Sequence, residues 1–422
     1  MTYKSIKGTR DILPSESWKW QRVEEKIRGV MHTFNFREIR TPLFEETSLF
    51  SRSIGELTDI VSKEMYTFRD LSGESLTLRP EMTASVVRAH IQHNLREQSP
   101  LVKLYYIGPM FRQERPQAGR LRQFHQFGAE AIGSQIPSLD VEVVALAVAT
   151  YEALGVKKTI LRINSVGCEK CRPPYKEMLK RHLTRVRDRL SAESQRRLDV
   201  NPLRVLDSKS EEDQSAMAQI PLLKDHLCPE CSAHYASVKE ELAALELQYE
   251  EDGRLVRGLD YYTKTAFEIL SKDLGAQDAL AGGGRYDLLA EELGGKPTPG
   301  IGFAAGIERL MMVSEKQKSF LDGEEKLAIF FAALGNEAQR WAMKQALELR
   351  RRGISAELDF LSRSLKAQMR EADRQQVRHV IIVGENEVKT RRATIKDMKS
   401  GEQKTVSFDE VMSLFEKTNT DK

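Results

Sequence analysis

Two strand-like runs flank an arginine-rich turn, and this segment constrains the fold more than any other part of the chain. Residues 101–107 and 123–127 are rich in aromatic and aliphatic side chains, which favours two antiparallel strands. The arginines near the turn are Arg112, Arg115, Arg120 and Arg122. Because guanidinium groups stay charged and match phosphate oxygens bidentately, the segment predicts a sheet whose hairpin tip binds phosphate. A basic hairpin that only faces solvent is the alternative.

Side chains of the returning strand alternate between the two faces of the predicted sheet. A period of two places Phe124, Gln126 and Glu130 on one face. An aromatic ring beside polar groups suits stacking on a base and recognition of a small polar substrate. An aromatic residue in a strand is also a common core residue, so the pattern leaves both interpretations of Phe124 open.

Six segments along the chain resemble one known family. Residues 257–262 read Arg-Gly-Leu-Asp-Tyr-Tyr, and residues 78–83 read Leu-Arg-Pro-Glu-Met-Thr. The other segments are residues 7–14, 36–45, 111–130 and 302–309. In all six the chain resembles the histidyl-tRNA synthetases, which are class II aminoacyl-tRNA synthetases. Three of them are similar to class II motifs 1, 2 and 3, namely residues 36–45, 111–130 and 302–309.

The resemblance implies a fold with three parts. These are an α+β catalytic domain built on an antiparallel sheet with helices, a helical insertion, and a C-terminal α/β anticodon-binding domain. The expected bounds are residues 1–166 and 252–320 for the catalytic domain, 167–251 for the insertion, and 326–422 for the anticodon-binding domain. Alternating strand and helix patterns in the last part favour a small parallel-sheet unit. Class II enzymes form homodimers through motif 1, so a homodimer is expected.

The resemblance also implies a two-step reaction. The carboxylate of L-histidine attacks the α-phosphorus of ATP, accompanied by Mg²⁺, and expels pyrophosphate. The 3′ end of the histidine tRNA then takes the acyl group and releases AMP. Because both reacting groups of the first step are anions, fixed cations must stabilise the charge. By family match these are Arg112 and Arg257 at the α-phosphate, and Arg120 and Arg309 at the outer phosphates.

Other residues of the arginine-rich hairpin match positions that hold the adenine and the tRNA end. Glu114 resembles the acid near the adenine amino group, and Phe124 resembles the ring stacked on the adenine. Arg115 and Gln117 lie on the loop that, by resemblance, reaches the tRNA acceptor end.

A pocket selective for histidine needs buried polar groups at fixed places, because analogues that leave such groups unpaired are rejected strongly. Glu130 and Tyr262 resemble the readers of the imidazole ring. The remaining residues expected to line the histidine pocket are Glu81, Met82, Thr83, Gln126 and Tyr261. Two positions depart from the family pattern, since Met82 and Lys264 stand where many members have glycine.

All four cysteines occur as two CxxC pairs, Cys168 with Cys171 and Cys228 with Cys231. Four thiolates are the set that a tetrahedral structural zinc site needs, so a structural Zn²⁺ is one interpretation. Four free thiols are the other, because the pairs lie farther apart than in most zinc ribbons. His226 and His234 flank the second pair as substitute ligands. Disulfides are not expected in a reducing compartment.

Overall charge does not by itself indicate a nucleic-acid-binding protein. The 65 Lys and Arg residues against 62 Asp and Glu give a net charge of +3 over 422 residues. Residues 103–126 and 176–199 are locally basic and suit tRNA contact, although the second stretch equally fits a solvent-exposed helix face. Without an apolar leader or a membrane-length apolar run, the chain is predicted to be cytoplasmic and without membrane contact.

Two other functions compete with the synthetase interpretation. The first is a non-catalytic, synthetase-like regulatory subunit of ATP phosphoribosyltransferase. Such paralogues typically lose the motif 2 arginines, the motif 3 arginine and the C-terminal domain, all of which this chain retains. The second is a zinc-ribbon nucleic-acid-binding protein built on the CxxC pairs, which leaves the pocket residues unexplained.

Overall fold

The computed structural model describes residues 3–55, 58, 60–117, 119–256, 259, 261–275, 278–319 and 326–416. Arg257, one of the predicted catalytic residues, lies outside the described residues. The chain divides into two compact units, Met1–Asp322 and Gly323–Lys422. No helix in the described part of the chain is long and apolar enough to cross a membrane.

The first unit contains most of the strands and helices. Its strands are β1 (Arg37–Glu38), β2 (Phe44–Glu46), β3 (Tyr66–Arg69), β4 (Ser75–Leu78), β5 (Val102–Phe111), β6 (Gln123–Ile132), β7 (Thr159–Ser165), β8 (Glu250–Glu251), β9 (Thr263–Ser271), β10 (Ala279–Arg285) and β11 (Gly300–Gly306). Its helices are α1 (Pro14–Thr33), α2 (Thr47–Ile54), α3 (Thr83–Gln92), α4 (Leu95–Gln98), α5 (Pro137–Ala153), α6 (Arg172–Arg185), α7 (Ala192–Val200), α8 (Glu211–Ala216), α9 (Pro229–Ala244), α10 (Leu289–Glu292) and α11 (Ile307–Gln317).

A central sheet of eight strands organises this unit, in the order β1-β5-β6-β11-β10-β9-β7-β8. The six inner strands are antiparallel, whereas β1 and β8 pair in parallel at the two edges. The predicted arginine-rich hairpin is β5 with β6, paired from Val102 with Ile132 to Phe111 with Gln123. A separate three-stranded sheet has the order β2-β4-β3.

Helices α1 and α5 share one core with the central sheet. Buried residues of α1 recur at helical spacing, namely Trp20, Val23, Ile27 and Met31. Helix α5 is apolar on nearly all sides because it is buried. It begins at Pro137, where a missing N–H costs nothing, and ends before Gly155, whose φ of +68° suits a helix end.

The segment between β7 and β8 is helical, as predicted, and has its own core. Helices α6 to α9 and short 3₁₀ turns bury a separate apolar cluster, which includes Leu179, Leu183, Leu198 and Met217. At the other end of the unit, α11 continues to Gln317 and buries Ser314 on its inner face.

The second unit is an α/β sandwich. Its strands are β12 (Ile329–Ala333), β13 (Ala356–Leu358), β14 (His379–Val383), β15 (Arg392–Asp397) and β16 (Gln403–Ser407), and its helices are α12 (Asn336–Arg351), α13 (Leu365–Arg374), α14 (Glu385–Thr390) and α15 (Phe408–Glu416). Strands β13, β12 and β14 are parallel, but β15 and β16 add an antiparallel edge. The prediction of a parallel sheet was therefore incomplete. Connections as short as residues 398–402 cannot make the crossover that parallel strands need.

Candidate active site

One pocket of about 280 Å³ opens over the central sheet at β6, β10 and β11. Gly282 in β10 and Gly306 in β11 have no side chains, so the pocket reaches the backbone of these two strands. The predicted site residues that line it are Glu81, Thr83, Arg112, Glu114, Arg120, Phe124, Gln126, Tyr261, Tyr262 and Arg309. The fold thus brings residues from four distant segments to one cavity.

A cationic arm occupies one side of the pocket. Nη1 of Arg120 lies 3.1 Å from Oε2 of Glu114, and Nη1 of Arg112 lies 3.8 Å from Oε1 of the same carboxylate. Arg309 approaches from α11 and donates to the carbonyls of Gly119 (3.3 Å) and Ala279 (2.7 Å). Burial, together with the neighbouring Arg120, lowers the pKa of Arg309. Three guanidinium groups against one carboxylate leave positive charge that favours a polyanion.

Phe124 lies at the junction of this arm and the sheet. The guanidinium of Arg112 is 5.3 Å from the centre of its ring, within cation–π range. Nε of Arg112 also donates to the carbonyl of Pro80 at 2.9 Å, which fixes the side chain over the ring. Phe124 is only partly buried and lines the pocket, so its exposed ring face can stack on a flat ligand.

A polar arm begins at the start of α3. Glu81 accepts hydrogen bonds from the backbone N–H groups of Thr83 (2.7 Å) and Ala84 (3.0 Å), which are otherwise unpaired donors of the first helical turn. Burial raises the pKa of Glu81, and those N–H groups oppose the rise. Gln126 points into the pocket from β6, and its buried Oε1 has no partner among the described residues. This buried oxygen is therefore available to accept a hydrogen bond from a donor group of the ligand.

Glu130 lies directly behind the polar arm and is completely buried. It accepts hydrogen bonds from three hydroxyls, those of Thr83 (2.7 Å), Tyr286 (2.6 Å) and Tyr106 (3.4 Å). Burial raises its pKa to about 8, although the hydroxyl of Tyr286 opposes the rise. Glu130 itself does not line the pocket; it is joined to the pocket through Thr83, which lines the cavity and donates its hydroxyl to Glu130.

Sequence reasoning missed Tyr286 and Tyr106. Gly128 could have indicated Tyr106, because the two residues pair across the hairpin. A Cβ on Gly128 would lie 2.4 Å from the Tyr106 hydroxyl. The sequence indicates Tyr286 more weakly, as the residue that follows Arg285 and a run of three glycines. Gly302 completes the arrangement, because a Cβ at that position would lie 1.8 Å from Oε2 of Glu130.

Two neighbouring tyrosines, Tyr261 and Tyr262, also line the pocket. The ring centres of Tyr261 and Tyr262 are 4.7 Å apart, and Tyr261 contacts Tyr286 edge-on at 6.0 Å. Both tyrosines are almost fully buried, and burial raises the pKa of Tyr261 well above its ordinary value. Neutral hydroxyls in this position are suited to hydrogen bonding a polar ring.

The two departures from the family pattern have different structural contexts. Met82 is buried beneath the pocket, with Sδ 3.0 Å from the hydroxyl of Thr41, and does not line the cavity. Its bulk therefore goes into the core. Lys264 has a φ of +48°, the left-handed conformation that favours glycine, and its ammonium lies 2.9 Å from Oδ2 of Asp287.

Arg115 and Gln117 lie at the tip of the hairpin, outside the pocket. They line a neighbouring surface groove together with Lys63. Backbone hydrogen bonds between Gln117 and Arg120 close the tip. The position is open to a large ligand that approaches the pocket from solvent.

The four cysteines meet at one point. All four Sγ atoms lie within 4.8 Å of one another, so the wide spacing in the sequence does not keep the two pairs apart. His234, named as a substitute ligand, instead places Nε2 2.8 Å from Oδ2 of Asp140. The ring of His226 lies 6.2 Å from that of Tyr175, and His226 does not belong to the group. The cluster does not line the pocket.

The chain is similar to known proteins both in its family models and in its sequence. A family model described as Histidyl-tRNA synthetase matches residues 8–310, and one described as Anticodon binding domain matches residues 328–418. A Histidine--tRNA ligase of Halothermothrix orenii is 50% identical over 403 residues, which is 96% of each chain. Another, of Natranaerobius thermophilus, is 49% identical over 97% of this chain and 98% of its own.

A solved structure extends the likeness to three dimensions. The crystal structure of apo S. aureus histidyl-tRNA synthetase matches with a TM-score of 0.83 at 41% identity, over 98% of this chain and 100% of that one. The class II fold expected from the motifs is thereby confirmed, including the C-terminal anticodon-binding domain. By sequence, by family model and by fold, the chain belongs to the histidyl-tRNA synthetase family.

Proposed function

We propose that this chain ligates L-histidine to its tRNA in two steps, through a histidyl-adenylate, with release of pyrophosphate and AMP. The observation that carries the proposal is the single pocket that joins a cationic arm to a polar arm. A regulatory subunit that makes no adenylate would have no need of both arms. The ligases to which the chain is about half identical likewise do not favour that alternative.

The cationic arm binds ATP in this proposal. Arg112 neutralises the α-phosphate and the attacking carboxylate, while Arg309 and Arg120 hold the outer phosphates. Because Arg309 is fixed by two backbone carbonyls, it needs little reorganisation when charge develops on the phosphate oxygens. Glu114 receives the adenine amino group and Phe124 stacks on the base. Arg257, by resemblance, adds a further cation at the α-phosphate.

The polar arm binds histidine. The ammonium of the substrate supplies the positive charge that Glu81 lacks in its buried position, and it donates to the unpaired oxygen of Gln126. The imidazole N–H donates toward Glu130, whose negative form it favours, and Tyr262 approaches the ring from the opposite side. An amino acid without a ring donor leaves this network unpaired and binds more weakly.

Mg²⁺ enters as part of the nucleotide. In the described part of the chain, the only group of three or more potential metal ligands is the four-cysteine cluster. Of the carboxylates in the pocket, Glu114 pairs with arginines, Glu308 accepts a hydrogen bond from the backbone of His125, and Glu81 accepts two from the start of α3. The ion is therefore held through the phosphates and supplies charge neutralisation there, while the arginines position the reacting groups.

The tRNA contacts two separate surfaces. Arg115 and Gln117 receive the acceptor end at the hairpin tip, and residues 328–418 receive the anticodon. Such contacts are largely electrostatic, so tRNA affinity falls as the salt concentration rises. We place the domain bounds at residues 1–166, 167–251, 252–320 and 326–422.

The active form is a homodimer in the cytoplasm, where ATP and tRNA are available. Apolar side chains around motif 1 support the dimer, since Leu43 is 45% exposed and Phe44 is 50% exposed in the single chain. Phe44 also pairs edge-on with the exposed Phe68. Contiguous exposed aromatic surface of this kind marks an interaction site.

Histidine-dependent exchange of labelled pyrophosphate into ATP, without tRNA, tests the adenylation step. We expect exchange with histidine alone among the amino acids. Arg112→Gln, Arg257→Ala and Arg309→Gln should each lower the rate by roughly a hundredfold, as the loss of one fixed donor does elsewhere. Arg187→Gln, which alters an exposed ion pair with Asp199, is the matched control and should exchange normally. Absence of exchange from folded, dimeric protein would overturn the proposal and favour the regulatory function.

A further inference from the structure

The four-cysteine cluster is independent of the proposed reaction and is built from both ends of the helical insertion. Cys168 and Cys171 follow strand β7, where the chain leaves the central sheet. Cys228 and Cys231 lie at the start of α9, the helix that returns to the sheet core. The folded chain therefore brings together two segments that are 57 residues apart at their nearest cysteines.

The spacing of the sulfur atoms fits a tetrahedral metal and not a disulfide. Sγ of Cys168 lies 3.7 Å from Sγ of Cys171 and 3.9 Å from Sγ of Cys228. A disulfide bond is about 2.05 Å long. Four thiolates at Zn–S distances of about 2.3 Å lie about 3.8 Å apart along the edges of a tetrahedron. All four Sγ atoms fall within 4.8 Å of one another.

The backbone around the cluster is also arranged for thiolates. The N–H of Cys228 donates to Sγ of Cys171 at 3.1 Å, and the N–H of Lys170 points to Sγ of Cys168 at 3.4 Å. Gly167 has a φ of +64°, and a Cβ there would lie 2.8 Å from Cβ of Cys171. Glycine thus lets the first pair turn back toward the second, and N–H donors stabilise anionic sulfur.

We infer that Cys168, Cys171, Cys228 and Cys231 bind one Zn²⁺ ion, which ties the two ends of the insertion to the catalytic sheet. Four protein ligands close the coordination sphere, so the ion is structural and activates no water. Its position outside the pocket agrees with that role. Loss of the ion frees both ends of the insertion, whereas the cationic arm and the polar arm of the pocket still bind ATP and histidine.

Metal analysis of the full-length protein tests the inference. We expect about one zinc ion per chain, released in proportion when a mercurial reagent titrates the thiols. Cys171→Ser and Cys231→Ser should retain less than about a tenth of it, because three-ligand structural sites bind poorly. His226→Ala is the matched control, and it should keep the full content since His226 is near the cluster but outside it.

Cobalt substitution of the wild-type protein keeps the inference testable if the serine variants do not fold. Protein produced with Co²⁺ should show thiolate-to-metal charge-transfer bands and the intense visible bands of a tetrahedral four-sulfur site. Cleavage of the insertion by a protease should become several-fold faster once a chelator removes the ion. Native protein that contains no zinc and has four thiols reactive toward Ellman's reagent would overturn the inference, as would stoichiometric iron in place of zinc.

Discussion

The hydroxyl of Tyr286 lies 2.6 Å from Oε2 of Glu130, although 156 positions separate the two residues. Both side chains are completely or almost completely buried, and the hydroxyl points at the carboxyl group proposed to bind the imidazole of histidine. Tyr286 therefore orients Glu130 without lining the pocket itself.

Removing that hydroxyl should weaken histidine binding. In Tyr286→Phe, Glu130 loses a hydroxyl donor that favours its negative form, the form proposed to accept from the imidazole. We therefore expect the KM for histidine to rise about tenfold or more in pyrophosphate exchange. The KM for ATP should change little. Tyr151→Phe is the control, because the buried Tyr151 hydroxyl has no partner among the described residues. Equal KM values for histidine in the two variants would contradict the positioning role of Tyr286.

Glu130 should make the stability of the ligand-free protein depend on pH. Burial raises its pKa from 4.5 to about 8, so between these values the folded protein holds a proton that the unfolded chain has released. The stabilising contribution of the neutral carboxyl is fully present below pH 4.5 and is lost as pH rises through about 8. Urea unfolding across this range should show wild type losing stability relative to Glu130→Gln as pH rises. Parallel pH profiles would show that Glu130 titrates normally.

Substitution at Gly302 should displace Glu130. The added methyl of Gly302→Ala would lie 1.8 Å from Oε2 of Glu130, so either the strand or the carboxyl must move. We expect a loss of about 1–3 kcal/mol in the free energy of unfolding and weaker histidine-dependent exchange. Gly29→Ala in α1 meets no atom within 4 Å and should be neutral or slightly stabilising. An unchanged KM for histidine in Gly302→Ala would show that the site tolerates the shift.

A buried ion pair anchors the segment that carries Tyr286. Nη2 of Arg285 lies 2.6 Å from Oδ1 of Asp140, and both side chains have no exposed surface. Asp140→Ala leaves the buried guanidinium with Asp287 as its remaining carboxylate partner and removes the partner of His234. We therefore expect the free energy of unfolding to fall by about 3–5 kcal/mol in urea titrations. Asp199→Ala breaks the exposed pair with Arg187 and should change stability little. Similar losses in the two variants would contradict the importance of burial.

Much of the fold was predictable because its signals are local. The β5–β6 hairpin and the alternation of strands and helices in the C-terminal unit follow from side-chain patterns and from turn residues. The antiparallel edge formed by β15 and β16 was not predicted. Pairing partners of edge strands depend on connection length and on neighbouring strands, and short polar strands carry little periodic signal.

The sequence by itself determined the chemical inventory of this protein: an arginine-rich hairpin, acids and tyrosines in recognisable motifs, and two cysteine pairs. Only the tertiary structure decided which of these groups meet. It buried the side chain of Met82 in the core and placed the Tyr286 hydroxyl in hydrogen-bond contact with Glu130. It also brought four thiols within 4.8 Å of one another. The physical reason is that contacts across more than 50 residues depend on how sheets and helices pack, whereas the periodicity of a segment reports only on its own conformation.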